Sequence, residues 1–151
     1  MGNIVLNLVL YSPEVILCLT LCFVLIIHMV TRHSLLTLLT ALIGLGVAAL
    51  DISTLATYEP QFYFSGHLSH DPFSLFFKFL FVTVTFFTCL FGYKSYEIPH
   101  KRLAEFYALT LAVTLGLCTL VSSVNLLTLY LSLELVSIIS YVLAGFRKEN
   151  T

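Results

Sequence analysis

Long apolar runs separated by short polar stretches dominate this chain of 151 residues. A bilayer core of about 30 Å needs about 20 residues of helix to cross it, and five of the runs reach or approach that length. The pattern therefore predicts an all-α membrane fold, with 1–151 forming a single transmembrane unit. The five predicted transmembrane helices are 13–30, 35–57, 72–93, 103–122 and 126–146.

Polar residues at the ends of these runs predict where the helices begin. Ser12 is a natural N-cap, and Glu14 in the first turn would favour the positive end of the helix dipole. Asp71 and Asn125 take the same capping position before the third and fifth helices. The longest predicted loop, 57–71, carries aromatic residues that suit a membrane–water interface.

The composition agrees with a membrane protein and narrows its chemistry. Only 10% of the residues are charged, whereas a soluble domain carries about a quarter, and the net charge of −1 argues against a nucleic-acid partner. The four cysteines lie in apolar segments and are interpreted as small apolar side chains. His67 and His70 have only Asp71 and Glu59 nearby and no cysteine, which disfavours a metal site, and no phosphate-binding glycine loop appears. We therefore expect lipids around this chain, and no metal, cofactor or catalytic residue on it.

Positive charges concentrate in alternate loops, and this bias predicts the orientation in the membrane. The loops on the opposite side hold no lysine or arginine, and they carry Glu59, Asp71 and histidines instead. We therefore expect the N-terminus outside and the C-terminus in the mitochondrial matrix or the bacterial cytoplasm. The lysines and arginines on the predicted inner side are Arg32, Lys94, Lys101, Arg102, Arg147 and Lys148.

Glu134 is the first candidate functional residue, because it lies close to the middle of the fifth predicted helix. A carboxylate at that depth costs at least ~2.5–3.5 kcal/mol and should face protein or water instead of lipid. Polar residues share its helix face at about 100° per residue: Ser123, Tyr130, Ser137, Tyr141 and Lys148. Glu134 is interpreted as a proton-carrying carboxylate, and the alternative is a structural glutamate that is hydrogen-bonded at a helix interface.

Asp51 and Lys78 are weaker candidates. Asp51 ends a row of small residues on the second helix, and such a row lets another helix approach closely: Thr37, Ala41, Gly44 and Ala48. It is expected to be a packing group, with a functional acid as the alternative. Lys78 lies about 10 Å along the third helix from Asp71. It is expected to extend to the nearby interface, with a buried functional lysine as the alternative.

The second half of the chain contains the most specific motifs. They read EFYAL at 105–109, TLG at 114–116, NLLTL at 125–129, LEL at 133–135 and YVLAG at 141–145, with DPF at 71–73 as support. This pattern resembles the antiporter-like subunit of proton-pumping NADH:quinone oxidoreductase (respiratory complex I), called subunit N in bacteria and subunit 2 in mitochondria. The plastid homologue and cation/proton antiporter subunits share parts of it.

The resemblance implies a specific role for Glu134. It falls on the fifth-helix glutamate of the family, a protonatable residue of the central membrane axis that pairs with lysines on later helices. The segment 13–93 would supply three N-terminal helices, and 103–146 would supply the first two helices of an inverted repeat. The chain is then expected to be a split gene product or an N-terminal piece. Flavin mononucleotide, iron–sulfur clusters and quinone are expected only in other subunits.

Three functions remain open at this point. The first is a proton-translocating subunit of the complex, with a second polypeptide carrying the remaining helices and other membrane-arm subunits as partners. The second is a structural or assembly subunit that does not conduct protons. The third is an independent carrier or channel formed by several copies of the chain. The expected location is the mitochondrial inner membrane, and the alternative is the bacterial plasma membrane.

Overall fold

The predicted all-α membrane fold is confirmed. A computed structural model describes residues 2–94 and 102–146, and the last five of the helices found there are long and apolar enough to cross a membrane. Their ends lie within two residues of the predicted ones. The helices are α1 Gly2–Leu10, α2 Ser12–Thr31, α3 Ser34–Leu55, α4 Pro72–Lys94, α5 Leu103–Ser122 and α6 Leu126–Gly145.

Two elements of the fold were not predicted. The short helix α1 precedes α2, and the loop 57–71 contains an antiparallel hairpin of β1 Gln61–Tyr63 and β2 Leu68–His70. Phe64, Ser65 and Gly66 between the strands all have positive φ, which closes the turn within four residues. Strands of three residues are too short to show an alternating pattern in the sequence, so the loop prediction missed them.

Helices α2, α3, α4 and α5 pack in a ring in chain order, and α5 closes the ring against α2. Leu17, Leu45, Val82 and Leu111 are among the buried side chains that fill it, one from each helix. The hydroxyl groups of Thr85 and Thr114 lie 2.6 Å apart and hydrogen-bond α4 to α5. Helix α6 packs outside the ring on α5, and Ser132 is the buried residue that is found on it.

The predicted row of small residues on α3 is confirmed as a close-packing face. Thr37, Ala41 and Ala48 are buried, and a Cβ atom added at Gly44 would overlap the Thr20 side chain of α2. Gly116 has a similar place between α5 and α6, since its Cβ would lie 2.8 Å from Val136. Glycine is therefore required where these helices approach most closely.

Two of the three predicted helix caps are confirmed. Asn125 Oδ1 accepts a hydrogen bond from the Leu127 backbone N–H at 3.1 Å, and Asp71 Oδ1 accepts one from the Ser74 N–H at 3.4 Å. The prediction for Ser12 is wrong. Its hydroxyl lies 2.7 Å from the Val9 carbonyl and makes no cap bond, because backbone hydrogen bonds continue from α1 through Tyr11 into α2.

Residues 95–101, which make up most of the predicted loop between the third and fourth membrane-spanning helices, lie outside the described residues, as do Arg147 and Lys148. The predicted orientation of the chain therefore stays a prediction. The division into 13–93 and 103–146 also stays a prediction, although α5 packs against both α2 and α4.

Candidate functional site

A buried ion pair lies inside the helical ring, near the end where α2 and α4 begin. Lys78 Nζ is 2.7 Å from Glu14 Oε1, and each side chain is 1% exposed. The expectation that Lys78 extends to the interface is therefore wrong. Side chains on a helix lean toward its N-terminus, so Lys78 does reach toward that end of α4, but it does so on the inner face of the ring.

The positions of these two charges along the chain explain why they meet. Glu14 is the third residue of α2 and Lys78 the seventh of α4, and both helices begin at the same end of the bundle. The pair spans the ring between two helices that face each other across it. The sequence pattern places Glu14 at the positive end of the helix dipole and does not predict its pairing with Lys78. The sequence does contain a signal for this pairing. Glu14 and Lys78 carry opposite charges, and each lies in the first two turns of a helix that begins on the same side of the membrane.

Three polar atoms near the ion pair have no hydrogen-bond partner within the described part of the chain. They are Glu14 Oε2, the Tyr63 hydroxyl and Ser122 Oγ, all buried. The Ser122 hydroxyl faces that of Tyr63 without meeting hydrogen-bond geometry. Burial raises the pKa of the Tyr63 phenol, and the negative charge of Glu14 raises it further. Tyr63 is therefore a neutral hydroxyl, and it is close enough to the ion pair for the charge of Glu14 to act on it.

The hairpin covers this end of the ring. Tyr63 and His70 are each 2% exposed, and His70 Nε2 lies 3.1 Å from the Leu55 carbonyl. Burial lowers the pKa of His70, and a carbonyl can only accept, so the neutral ring carries its proton on Nε2. His67 is engaged separately, with Nδ1 at 3.0 Å from the Asn125 amide. Among residues 2–94 and 102–146, no three potential ligands gather into a metal site.

Asp51 links the end of α3 to the start of α2. Its Oδ2 accepts a hydrogen bond of 2.5 Å from Ser12, which ties the C-terminal part of α3 to the first residue of α2. Ser12 is only two residues from Glu14, so the two carboxylates lie at the same end of the bundle. Such a bond suits a packing group, and the absence of a proton-carrying role for Asp51 stays a prediction.

Glu134 lies on α6, which is the least covered of the long helices. The Tyr130 hydroxyl interacts with its carboxylate, and Tyr130 is 59% exposed. Ser137 bonds back to the Leu133 carbonyl at 2.8 Å, and Tyr141 is also exposed. Among the described residues no ion pair forms with Glu134, and Lys78 is paired with Glu14. On the predicted polar face of α6, Tyr130 and Tyr141 are thus exposed, while Glu134 and Ser137 are partly buried.

These features define a polytopic helical membrane protein, with a buried ion pair at one end of its ring and an acidic side chain on an outer helix. No protein-family model matches the chain. It is 39% identical over 144 residues to NADH-quinone oxidoreductase subunit N of Anaeromyxobacter sp. (strain Fw109-5). It is also 36% identical over 143 residues to NADH-quinone oxidoreductase subunit N 2 of Chloroherpeton thalassium.

A third relative is NAD(P)H-quinone oxidoreductase subunit 2 of Gloeobacter violaceus, at 32% identity over 138 residues. These matches include 90–93% of this chain but only 27–28% of the relatives, in their N-terminal part. The resemblance drawn from the motifs is therefore confirmed, and it extends over the first three membrane-spanning helices as well.

Proposed function

We propose that this chain supplies the N-terminal helices of a subunit N-type membrane subunit of NADH-quinone oxidoreductase, and that Glu134 is a protonatable group on its proton path. The observation that carries the proposal is the position of Glu134. It is a carboxylate in the middle of a membrane-spanning helix whose outer face the described residues leave uncovered. The similarity to the N-terminal part of subunit N supports the complex.

The proposed mechanism is electrostatic. In a low-dielectric environment, a cation close to Glu134 favours the ionised carboxylate, and its withdrawal favours the protonated acid. A cation that moves between two positions would therefore load and release one proton in each cycle. Tyr130, which already interacts with Glu134, can donate a hydrogen bond to the ionised form.

We propose that the cation comes from helices beyond α6. Lys78 is committed to Glu14 inside the ring, and it is carried by a helix that does not contact α6 extensively. We propose that further helices cover the outer face of α6 and carry a lysine to Glu134. We expect these helices on a second polypeptide, with other membrane-arm subunits and lipids as further partners. Electron transfer and its cofactors belong to other subunits in this proposal.

The test is proton pumping in membranes that carry Glu134→Gln. The substitution removes the charge and little volume, so the complex should assemble on a blue-native gel and retain electron transfer to quinone. The number of protons moved per electron pair should fall. The matched control is Glu59→Gln, which removes a carboxylate from an exposed loop position and should leave pumping unchanged.

Each contrary result favours one of the alternatives. Normal pumping by an assembled Glu134→Gln complex would show that Glu134 is structural, and the chain would then be an assembly subunit. Purification of the chain as an oligomer of identical copies, with no oxidoreductase subunits, would support an independent carrier and contradict the proposal.

A further inference from the structure

We propose that Glu14, Lys78, Tyr63 and Ser122 form an internal water-binding site at the hairpin end of the helical ring. The four residues come from α2, α4, the hairpin and α5, so the site is enclosed on all of these sides. Their side chains are all buried. This site lies apart from Glu134, and the inference does not depend on which complex contains the chain.

The first argument is the number of polar atoms without protein partners. Glu14 Oε2, the Tyr63 hydroxyl and Ser122 Oγ are fully buried and unpaired within the described residues. The ammonium group of Lys78 has three N–H donors, which exceed what a single carboxylate oxygen can accept. Buried polar groups in proteins are hydrogen-bonded almost without exception, and internal water serves those that protein atoms leave unsatisfied.

The second argument is the chemistry of the site, which selects the ligand. Lys78 repels a metal cation, and Glu14 repels an anion, so the site favours a neutral molecule. The carboxylate accepts hydrogen bonds, the ammonium donates them, and the two hydroxyls do both. A small neutral molecule that both donates and accepts fits this set, and water is the one present at high concentration in every membrane environment.

The third argument is closure. The aromatic ring of Tyr63 and the side chains of Leu10, Leu55 and Leu68 form a buried apolar cluster at this end of the ring. His70 is tied to the Leu55 carbonyl beside it. Water held by the ion pair would therefore be screened from bulk solvent by the hairpin. Such a site explains how two charges remain in a ring of apolar helices, since bound water supplies the hydrogen bonds that the ion pair lacks.

The proposal can be tested on the chain purified from its native membrane with the partners it retains. A high-resolution cryo-electron-microscopy map should show density for at least one water within hydrogen-bond distance of Glu14 Oε2 and of Tyr63 or Ser122. Infrared spectra should show an O–H stretching band that shifts when H₂¹⁸O replaces H₂O. The band should shift or disappear in Tyr63→Phe and persist in Tyr58→Phe, which removes an exposed hydroxyl from the adjoining loop.

A map with Tyr63 or Ser122 bonded directly to Glu14 Oε2, and no water between them, would overturn the proposal. So would an isotope-sensitive band that is the same in Tyr63→Phe and in the unaltered protein. The map of the unaltered protein decides the question even where the Tyr63→Phe protein cannot be purified.

Discussion

At the scale of single residues, Glu14 and Lys78 depend on each other. A charge in a low-dielectric interior is costly, and the attraction of its partner offsets that cost. Removing one member of a buried pair typically costs about 3–5 kcal/mol, because the other charge is left without compensation. Replacing both members by apolar side chains of similar volume is often neutral, since no charge then remains inside.

We predict that Glu14→Gln and Lys78→Met each lower the free energy of unfolding of the purified protein by about 3–5 kcal/mol. The thermal unfolding midpoint should fall accordingly. The double variant Glu14→Leu with Lys78→Met should recover most of that loss. Fluorescence-monitored unfolding in detergent measures the effect, with Glu59→Gln as the control for removing an exposed carboxylate. A double variant no more stable than Glu14→Gln would show that the ion pair does not act as a unit.

At the scale of the helices, small residues determine how closely α2 and α3 pack. Two glycines on α3 are separated by a single residue yet meet different surroundings. Gly44 faces Thr20, which a Cβ atom would overlap, whereas a Cβ atom at Gly46 would meet open space. The contact of α3 with α2 therefore depends on one position, and the other glycine is free to change.

We predict that Gly44→Ala destabilises the protein by about 1–3 kcal/mol, as overpacking of a tight interface does. Gly46→Ala should be neutral or slightly stabilising, because alanine is the better helix former by about 1 kcal/mol. Unfolding midpoints of the two variants, measured side by side, check the prediction. Equal midpoints would indicate that α2 and α3 can move apart at this position without loss of stability.

At the scale of the whole molecule, the ring of α2–α5 and the outer helix α6 are arranged around two separate acidic positions. Glu14 is enclosed and paired, while Glu134 lies on a helix that the described residues leave largely uncovered. The arrangement leaves much of α6 uncovered and keeps the ion pair inside the ring. In the predicted orientation, Glu14 lies near the outer side of the membrane and Glu134 lies near its middle.

We predict that a cysteine at Glu59 reacts with an impermeant thiol reagent added from the outer side, and that a cysteine at His33 reacts only from the inner side. Both positions are exposed, and they lie in turns at opposite ends of α3. Cys18 and Cys22 are also exposed but lie within α2, so lipid should shield them from the reagent. Labelling of the His33 position from outside would reverse the orientation.

The sequence predicted the spans accurately because hydrophobic length alone defines them. Apart from the small-residue face of α3, it did not show which face of each helix lies inside the ring, since these helices are largely apolar all round and their polar positions are few. Lys78 was therefore assigned to the interface, and Glu14 to the helix dipole, although both face the interior. The outward position of α6 and the closeness of Tyr63 to Glu14 depend on contacts between distant segments, which a single sequence does not reveal.

The hairpin also bears on the order in which this protein is completed during synthesis. The His67 carbonyl accepts a hydrogen bond of 3.0 Å from the Val124 N–H, and Leu68 pairs with Ser123. More than fifty residues separate these partners, and two transmembrane helices have to enter the membrane between them. In the predicted orientation, we expect the loop to be delivered across the bilayer early and to wait there for the turn after α5. We expect these contacts between the hairpin and the turn to form at the membrane surface, after α5 has been inserted.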